Sequence, residues 1–271
     1  NTSKLWSYKL NDDIFQRKSI LPDGKNHGLV MMVDWSGSMY AQLYKTVVQV
    51  ITLATFARRV GIPFEVYNFT DQLTHEERNS KEFRDTIVQE GRKESNIDRI
   101  LSPYGTKLRQ MLSNKMKNRE FIDACNNYLF IAWAVTNAPY SINVARENQL
   151  GGTPLVASLQ IMEKVVHKFQ KENQVEKLSF IVLSDGDAAD GIDYCTEHSS
   201  WSSSKGMRVP MAYKKTINDN VEQSWVITDE RSGKKIVWNA KGRNQGKTST
   251  EIMLELIKTL HNAKSVGFYI V

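Results

Sequence analysis

Leu29-Val30-Met31-Met32-Val33 is an unbroken apolar run that stops abruptly at Asp34-Trp35-Ser36-Gly37-Ser38-Met39. A run of strand length with no polar face cannot lie half in water. It predicts a strand covered on both sides, as in a parallel sheet sandwiched between helices. Leu178-Ser179-Phe180-Ile181-Val182-Leu183 predicts a second strand of this kind, and it too ends in a polar turn, Ser184-Asp185-Gly186-Asp187.

The segments between these strands alternate in period. From Tyr40 to Val60 the pattern is helical, with Leu43, Val47, Val50, Ile51, Ala54, Phe56 and Ala57 covering more than one face. Gly61 and Pro63 predict its end. Phe64-Glu65-Val66-Tyr67-Asn68-Phe69 alternates apolar and polar residues and predicts a strand, so strand, helix and strand form a βαβ unit with a right-handed crossover. Residues 71–120 are charged and helical in tendency, and 120–136 predict an apolar helix. Gly151-Gly152-Thr153-Pro154 opens another helix, whose buried stripe is Leu155, Leu159, Met162, Val165, Val166 and Phe169. Residues 191–248 read as irregular, apart from a hairpin of 224–228 with 235–238. A helix over 250–261 and a closing strand over 265–271 complete the pattern. Helices alternating with buried strands predict one α/β domain with a mostly parallel central sheet and helices on both faces. Residues 1–27 read as an N-terminal arm, and 71–149 and 191–248 as elaborations on the domain 28–271.

Composition bounds the rest. The chain has 271 residues, of which 41% are hydrophobic and 24% charged, so it can bury a sizeable core and is not wholly disordered. A net charge of +6 needs no nucleic acid or anionic membrane to explain it. Two cysteines, Cys125 and Cys195, make no disulfide framework and point to reduced thiols in an intracellular setting. No apolar run reaches the length of a membrane span. The opening Asn1-Thr2-Ser3-Lys4, without an initiator Met or a signal peptide, is expected of a processed form or a piece of a longer chain.

In open α/β sheets ligands bind beyond the carboxyl ends of the strands. The residues predicted there are Asp34, Ser36, Ser38, Thr153 and Asp185. All offer oxygen, the donor that Mg²⁺, Mn²⁺ or Ca²⁺ takes, with Mg²⁺ the leading candidate. In Asp34-x-Ser36-x-Ser38 alternate residues can point one way, with Gly37 expected to let the backbone turn between the serines. Each piece also has a plain structural reading. Ser38 and Thr153 are good helix caps, and Asp185-Gly186 makes an ordinary turn.

Val33-Asp34-Trp35-Ser36-Gly37-Ser38-Met39 before a long helix, with Gly151-Gly152-Thr153 and Leu183-Ser184-Asp185-Gly186 behind it, resembles the metal-ion-dependent adhesion site of von Willebrand factor A domains. The resemblance covers roughly residues 28–70, 150–190 and 249–271. It implies a Rossmann-like fold, with Asp34, Ser36 and Ser38 in a first metal loop, Thr153 in a second and Asp185 in a third. Residues 28–70 and 181–186 further resemble the A domain of cobalt-chelatase T subunits and their relatives, including phage-encoded ones, which work beside AAA+ ATPases. Gly151-Gly152-Thr153 departs from the chelatase pattern, so a chelatase role is not the expected one.

A cation held largely by neutral hydroxyls stays electron-poor and accepts an outside carboxylate. The expected function is therefore metal-dependent protein–protein interaction with a partner presenting Asp or Glu, an AAA+ ATPase among the candidates. No catalysis is expected: the five histidines are scattered, and none stands in a recognisable base position for Ser36 or Ser38. Asp187 and Asp190 leave a two-metal hydrolase open as a minor alternative. A second class is nucleic-acid binding through the basic 205–250 segment, with Lys214, Lys215, Lys234, Lys235, Lys241 and Arg243 as candidate contacts and Tyr213, Trp225 and Trp238 as stacking residues. A third is a structural component of a phage or other particle. The expected location is cytoplasmic, virus-encoded or virion-associated.

Overall fold

The structure is a computed structural model. It describes residues 26–72, 105–139, 141–186, 188, 191–202, 207–217, 223–240 and 248–269. The arm residues 1–25, the stretch 73–104, and Asp187, Asp190, Lys241 and Arg243 lie outside them.

Strand β1 (His27–Asp34) is the centre of the sheet. A short 3-10 turn (Ser38–Ala41) leads into helix α1 (Leu43–Val60), which ends at Gly61. Gly61 takes φ 76°, a left-handed conformation that glycine adopts without strain, and its amide caps the carbonyls of Ala57 and Arg58. Strand β2 (Phe64–Thr70) returns parallel to β1, with Leu29 opposite Phe64 and Asp34 opposite Phe69. Strand β3 (Lys107–Ser113) then runs antiparallel along β2 as the sheet's edge. Its Lys107, Arg109 and Gln110 made the segment read as helical and charged. An edge strand tolerates them because only part of it is covered.

Helix α2 (Asn118–Asn137) and helix α3 (Leu155–Asn173) follow. Strand β4 (Lys177–Ser184) pairs parallel to β1 on the side away from β2, with Val33 opposite Leu183. Strands β5 (Ile192–Ser202) and β6 (Met207–Ile217) form a long antiparallel ribbon in the segment expected to be irregular. Strands β7 (Gln223–Thr228) and β8 (Lys235–Ala240) form the expected hairpin. Helix α4 (Ser249–His261) is capped by Thr248 and Glu251 in a reciprocal capping box. Strand β9 (Ala263–Tyr269) closes the sheet parallel to β4.

The order across the sheet is β3-β2-β1-β4-β9, parallel except at β3. Side chains alternate across β1. Val30 and Met32 join a core with α3 and α4, whereas Leu29, Met31 and Val33 join a second core with α1 and α2. Continuous hydrophobicity in β1 is therefore the trace of two cores meeting at one strand. Gly28 lies against the last turns of α3 and the residues just after it. A Cβ there would stand 2.7 Å from Val175 Cγ2 and 2.9 Å from a Phe169 ring carbon.

This is a mixed α/β, Rossmann-like architecture with a mostly parallel central sheet. Both long departures from it start on one rim. The stretch 73–104 leaves just past β2 and returns at β3 beside Thr70, and the ribbon-and-hairpin segment leaves from the end of β4. The chain passes from β1 to β2 on one side and takes up β4 on the other, so β1 and β4 flank the switch point where such sheets bind ligands. Among the described residues, no helix is long and apolar enough to cross a membrane.

Candidate metal centre

Asp34 is the last residue of β1 and is fully buried. The loop after it is pulled inward by two apolar anchors, Trp35 and Met39, each 0% exposed. Ser36, between them, is buried as well, while Ser38 remains exposed. The hydroxyls of Ser36 and Ser38 lie 3.0 Å apart. Ser38 Oγ donates to Asp185 Oδ1 at 2.7 Å, which joins the loop after β1 to the loop after β4. Ser184 Oγ, at the end of β4, donates to Asp34 Oδ2 at 2.6 Å.

The other oxygen of Asp34 is the anomaly. Asp34 Oδ1 is buried, and among the described residues no hydrogen bond to it meets strict geometry, although Ser36 approaches the carboxyl closely. Burial pushes the Asp34 carboxyl up to about 6. Hydrogen bonding by Ser184 and then Ser36 pulls it down, and the neighbouring charge of Asp185 raises it again. A buried carboxylate is disfavoured in its ionised form because burial withdraws it from solvent.

The second loop is stitched to the first through its backbone. Gly37 N donates to Gly151 O at 2.7 Å, Gly151 N to Trp35 O at 3.1 Å, and Trp35 Nε1 to Asn148 O at 3.0 Å. Ser36 and Gly151 thereby form an isolated parallel bridge. Thr136 Oγ1, near the end of α2, donates to Tyr40 O and ties that helix to the first loop. Thr153 lies two residues beyond the bridge, half-buried, and its hydroxyl joins none of the bonds that link the other four.

Of the five residues singled out in the sequence, the fold thus links Asp34, Ser36, Ser38 and Asp185 into one cluster, the Asp34–Asp185 side through Ser184 and the serines. It brings the Thr153 loop alongside. Ser38 and Thr153 are not the N-caps of α1 and α3: those positions fall to Gln42 and Pro154, whose side chains make no cap hydrogen bond. Gly37 is not needed for its freedom either. Its φ is −62°, open to any residue, and a Cβ would meet only Gly151 O at 3.7 Å.

Two residues escaped the sequence reading. Ser184 was read only as part of a turn, yet it holds Asp34. Asp71, just past β2, accepts the amide of Gly152 at 2.6 Å. The signal for Asp71 was the glycine pair itself, since adjacent glycines before a helix imply a close neighbour.

All donors in the cluster are oxygens, as a hard divalent cation requires. A hydroxyl has one proton and two lone pairs, so Ser38 can donate to Asp185 and still offer a lone pair to an ion. Asp34 Oδ1, which no strict hydrogen bond holds, supplies charge beside the Ser36 hydroxyl and amide. The residues therefore fit such an ion. Among the described residues, no three Asp, Glu, His or Cys side chains form a ligand group, so a cation here depends on the hydroxyls.

The basic 205–250 segment looks different from its sequence. Trp238 is 0% exposed and Ile236 is buried, both in the core with α3 and α4. Trp238 is closed to base stacking. Lys234 Nζ donates to Thr259 O at 2.7 Å, and Arg231 pairs with Glu163 of α3, so the hairpin's cations serve partly to dock it. Lys235 is exposed, while the side chains of Tyr213, Lys214 and Lys215 lie outside the description.

No protein-family model matches the sequence, and no curated protein matches it. Among solved structures, the chain aligns with the pilus adhesin SpaC from Lactobacillus rhamnosus GG in its open conformation. The two share 15% identity at a TM-score of 0.41, over 91% of this chain and 24% of the adhesin's. The chain thus spans about a quarter of that protein's length.

Proposed function

We propose that this chain is a von Willebrand factor A-type, divalent-cation-dependent protein-binding module. The observation that carries the reading is the buried Asp34 with its unmatched Oδ1, set in a hydroxyl-rich cluster on the switch-point rim. Asp34, Ser36, Ser38, Asp185 and, from the second loop, Thr153 would hold the ion, with Mg²⁺ the first candidate. When bound, it supplies an electron-poor centre with room for an outside carboxylate. The chain's own residues do the rest. Trp35 and Met39 fix the loop, Ser184 holds Asp34, and the Gly37–Gly151 bridge keeps the second loop in place. A partner offering an exposed Asp or Glu is the ligand class this suits, an AAA+ ATPase included.

The test is calorimetric titration of the full chain with Mg²⁺ and Mn²⁺, followed by partner capture in Mg²⁺ against EDTA. The reading expects saturable cation binding that Asp34→Ala abolishes without unfolding the protein, and capture that EDTA abolishes. Cation binding or capture indifferent to both treatments refutes it.

A further inference from the structure

The Gly151-Gly152 pair has a steric cause that lies outside the cation cluster. A Cβ on Gly151 would stand 2.3 Å from Asp71 Oδ1 and 2.8 Å from Thr70 Oγ1. A Cβ on Gly152 would stand 2.6 Å from Asp71 Oδ2. All three distances are far inside van der Waals contact, so any side chain at either position must displace the carboxylate or the loop. Neither glycine has a positive φ, so close approach and not backbone conformation explains the pair. Asp71 uses that space to accept the Gly152 amide at 2.6 Å.

The neighbouring contacts make the same connection. Gln72 Nε2 donates to Leu150 O at 3.2 Å, and the Gln72 amide donates to Thr70 Oγ1 at 3.2 Å. Arg109 of β3 reaches back to Gln72 O at 3.3 Å. The end of β2 therefore grips residues 150–152 from one side, while Trp35 and Gly37 grip Asn148 and Gly151 from the other. Thr153 is the next residue after this doubly held stretch.

From this geometry we infer that Asp71 is a positioning residue for the cation site. Through the Gly152 amide it sets where Thr153 stands, and so sets how tightly the cluster holds a divalent ion. This rests on the cation reading above. Outer carboxylates that orient metal-binding groups commonly control affinity by about 10–100-fold.

The experiment is Mn²⁺ titration of the full chain by calorimetry, run beside amide hydrogen exchange of residues 148–153 in EDTA. Asp71→Ala is expected to weaken Mn²⁺ binding by about tenfold or more and to speed exchange at Gly152. Asp71→Asn keeps an acceptor oxygen and is expected to restore both to near the wild-type values. Gly152→Ala is expected to reproduce the Asp71→Ala loss and to add little when the two are combined. A purely structural role would lower the melting temperature and leave Mn²⁺ affinity where it was. Equal Mn²⁺ affinity in wild type and Asp71→Ala overturns the role of Asp71 alone. Wild type that binds no Mn²⁺ overturns the cation site, and this inference with it.

Discussion

Replacing Asp34 by Asn should make the cation-free protein more stable while removing its response to cations. Asp34 is 0% exposed, and its carboxyl rises to about 6 from an ordinary 3.8. At about 1.4 kcal/mol per pKa unit, ionising this group in the folded state costs roughly 3 kcal/mol. The sign follows from linkage: a raised folded-state pKa adds stability below the unfolded value of 3.8, and that stability is lost as pH rises through about 6. Asn is uncharged at all these values, and its carbonyl can still accept from Ser184. In EDTA at pH 7.5 the variant is expected to be the more stable by about 3 kcal/mol, or roughly 6–12 °C for a domain of this size. The advantage should shrink below pH 6 and be gone near about pH 3.5. Saturating Mg²⁺ should raise the melting temperature of wild type only. Denaturant titrations and thermal scans across pH measure each quantity. If Asp34→Asn is no more stable than wild type in EDTA at neutral pH, or if its advantage persists unchanged at low pH, the reasoning fails.

Other expectations concern the frame around the site. Gly28→Ala would place a methyl group 2.7 Å from Val175 and should cost about 1–3 kcal/mol in urea titrations, with cation affinity unchanged. Although burial opposes it, hydrogen bonds from His261 and Arg231 hold the Glu163 carboxyl below the usual range. Glu163→Gln should therefore cost about 2 kcal/mol at neutral pH. That cost should fade as pH drops below the ordinary carboxylate value of 4.5 and through the lower folded-state one, seen as converging melting temperatures of the two proteins. Trp238→Ala empties a fully buried site and should cost about 3–5 kcal/mol, with faster hydrogen exchange in β7 and β8.

The parts of the fold legible in the sequence were those where burial leaves a periodic trace. β1 is covered by helices on both faces, β2 is buried along nearly its whole length, and β4 buries every second residue, so their apolar residues stand out. β3 was missed because Lys107, Arg109 and Gln110 occupy an edge, where covering is partial and helix and strand patterns look alike. The β5–β6 ribbon was missed because Ile192–Ser202 is largely polar, although Met207, Val209, Met211 and Tyr213 do alternate along β6. In the site, Asp34, Ser36, Ser38 and Asp185 were legible because oxygen-bearing residues recur at predicted strand ends. Asp71 was not, since an exposed aspartate after a strand looks like any other loop residue until its distance to Gly152 is known. Gly37 misled in the opposite direction: its place between two serines suggested a conformational need that its φ of −62° does not have.

The common rim of the two long departures has an evolutionary consequence. Lengthening or rewriting 73–104, or the ribbon beyond β4, disturbs no rung of the five-stranded ladder, because both begin after the last paired residue of an interior strand. Their roots stand beside Asp71 and Asp185. Exchanging either segment leaves the loop from Asp34 to Ser38 where it is, so the surroundings of this rim can be redrawn without rebuilding the cluster at its centre.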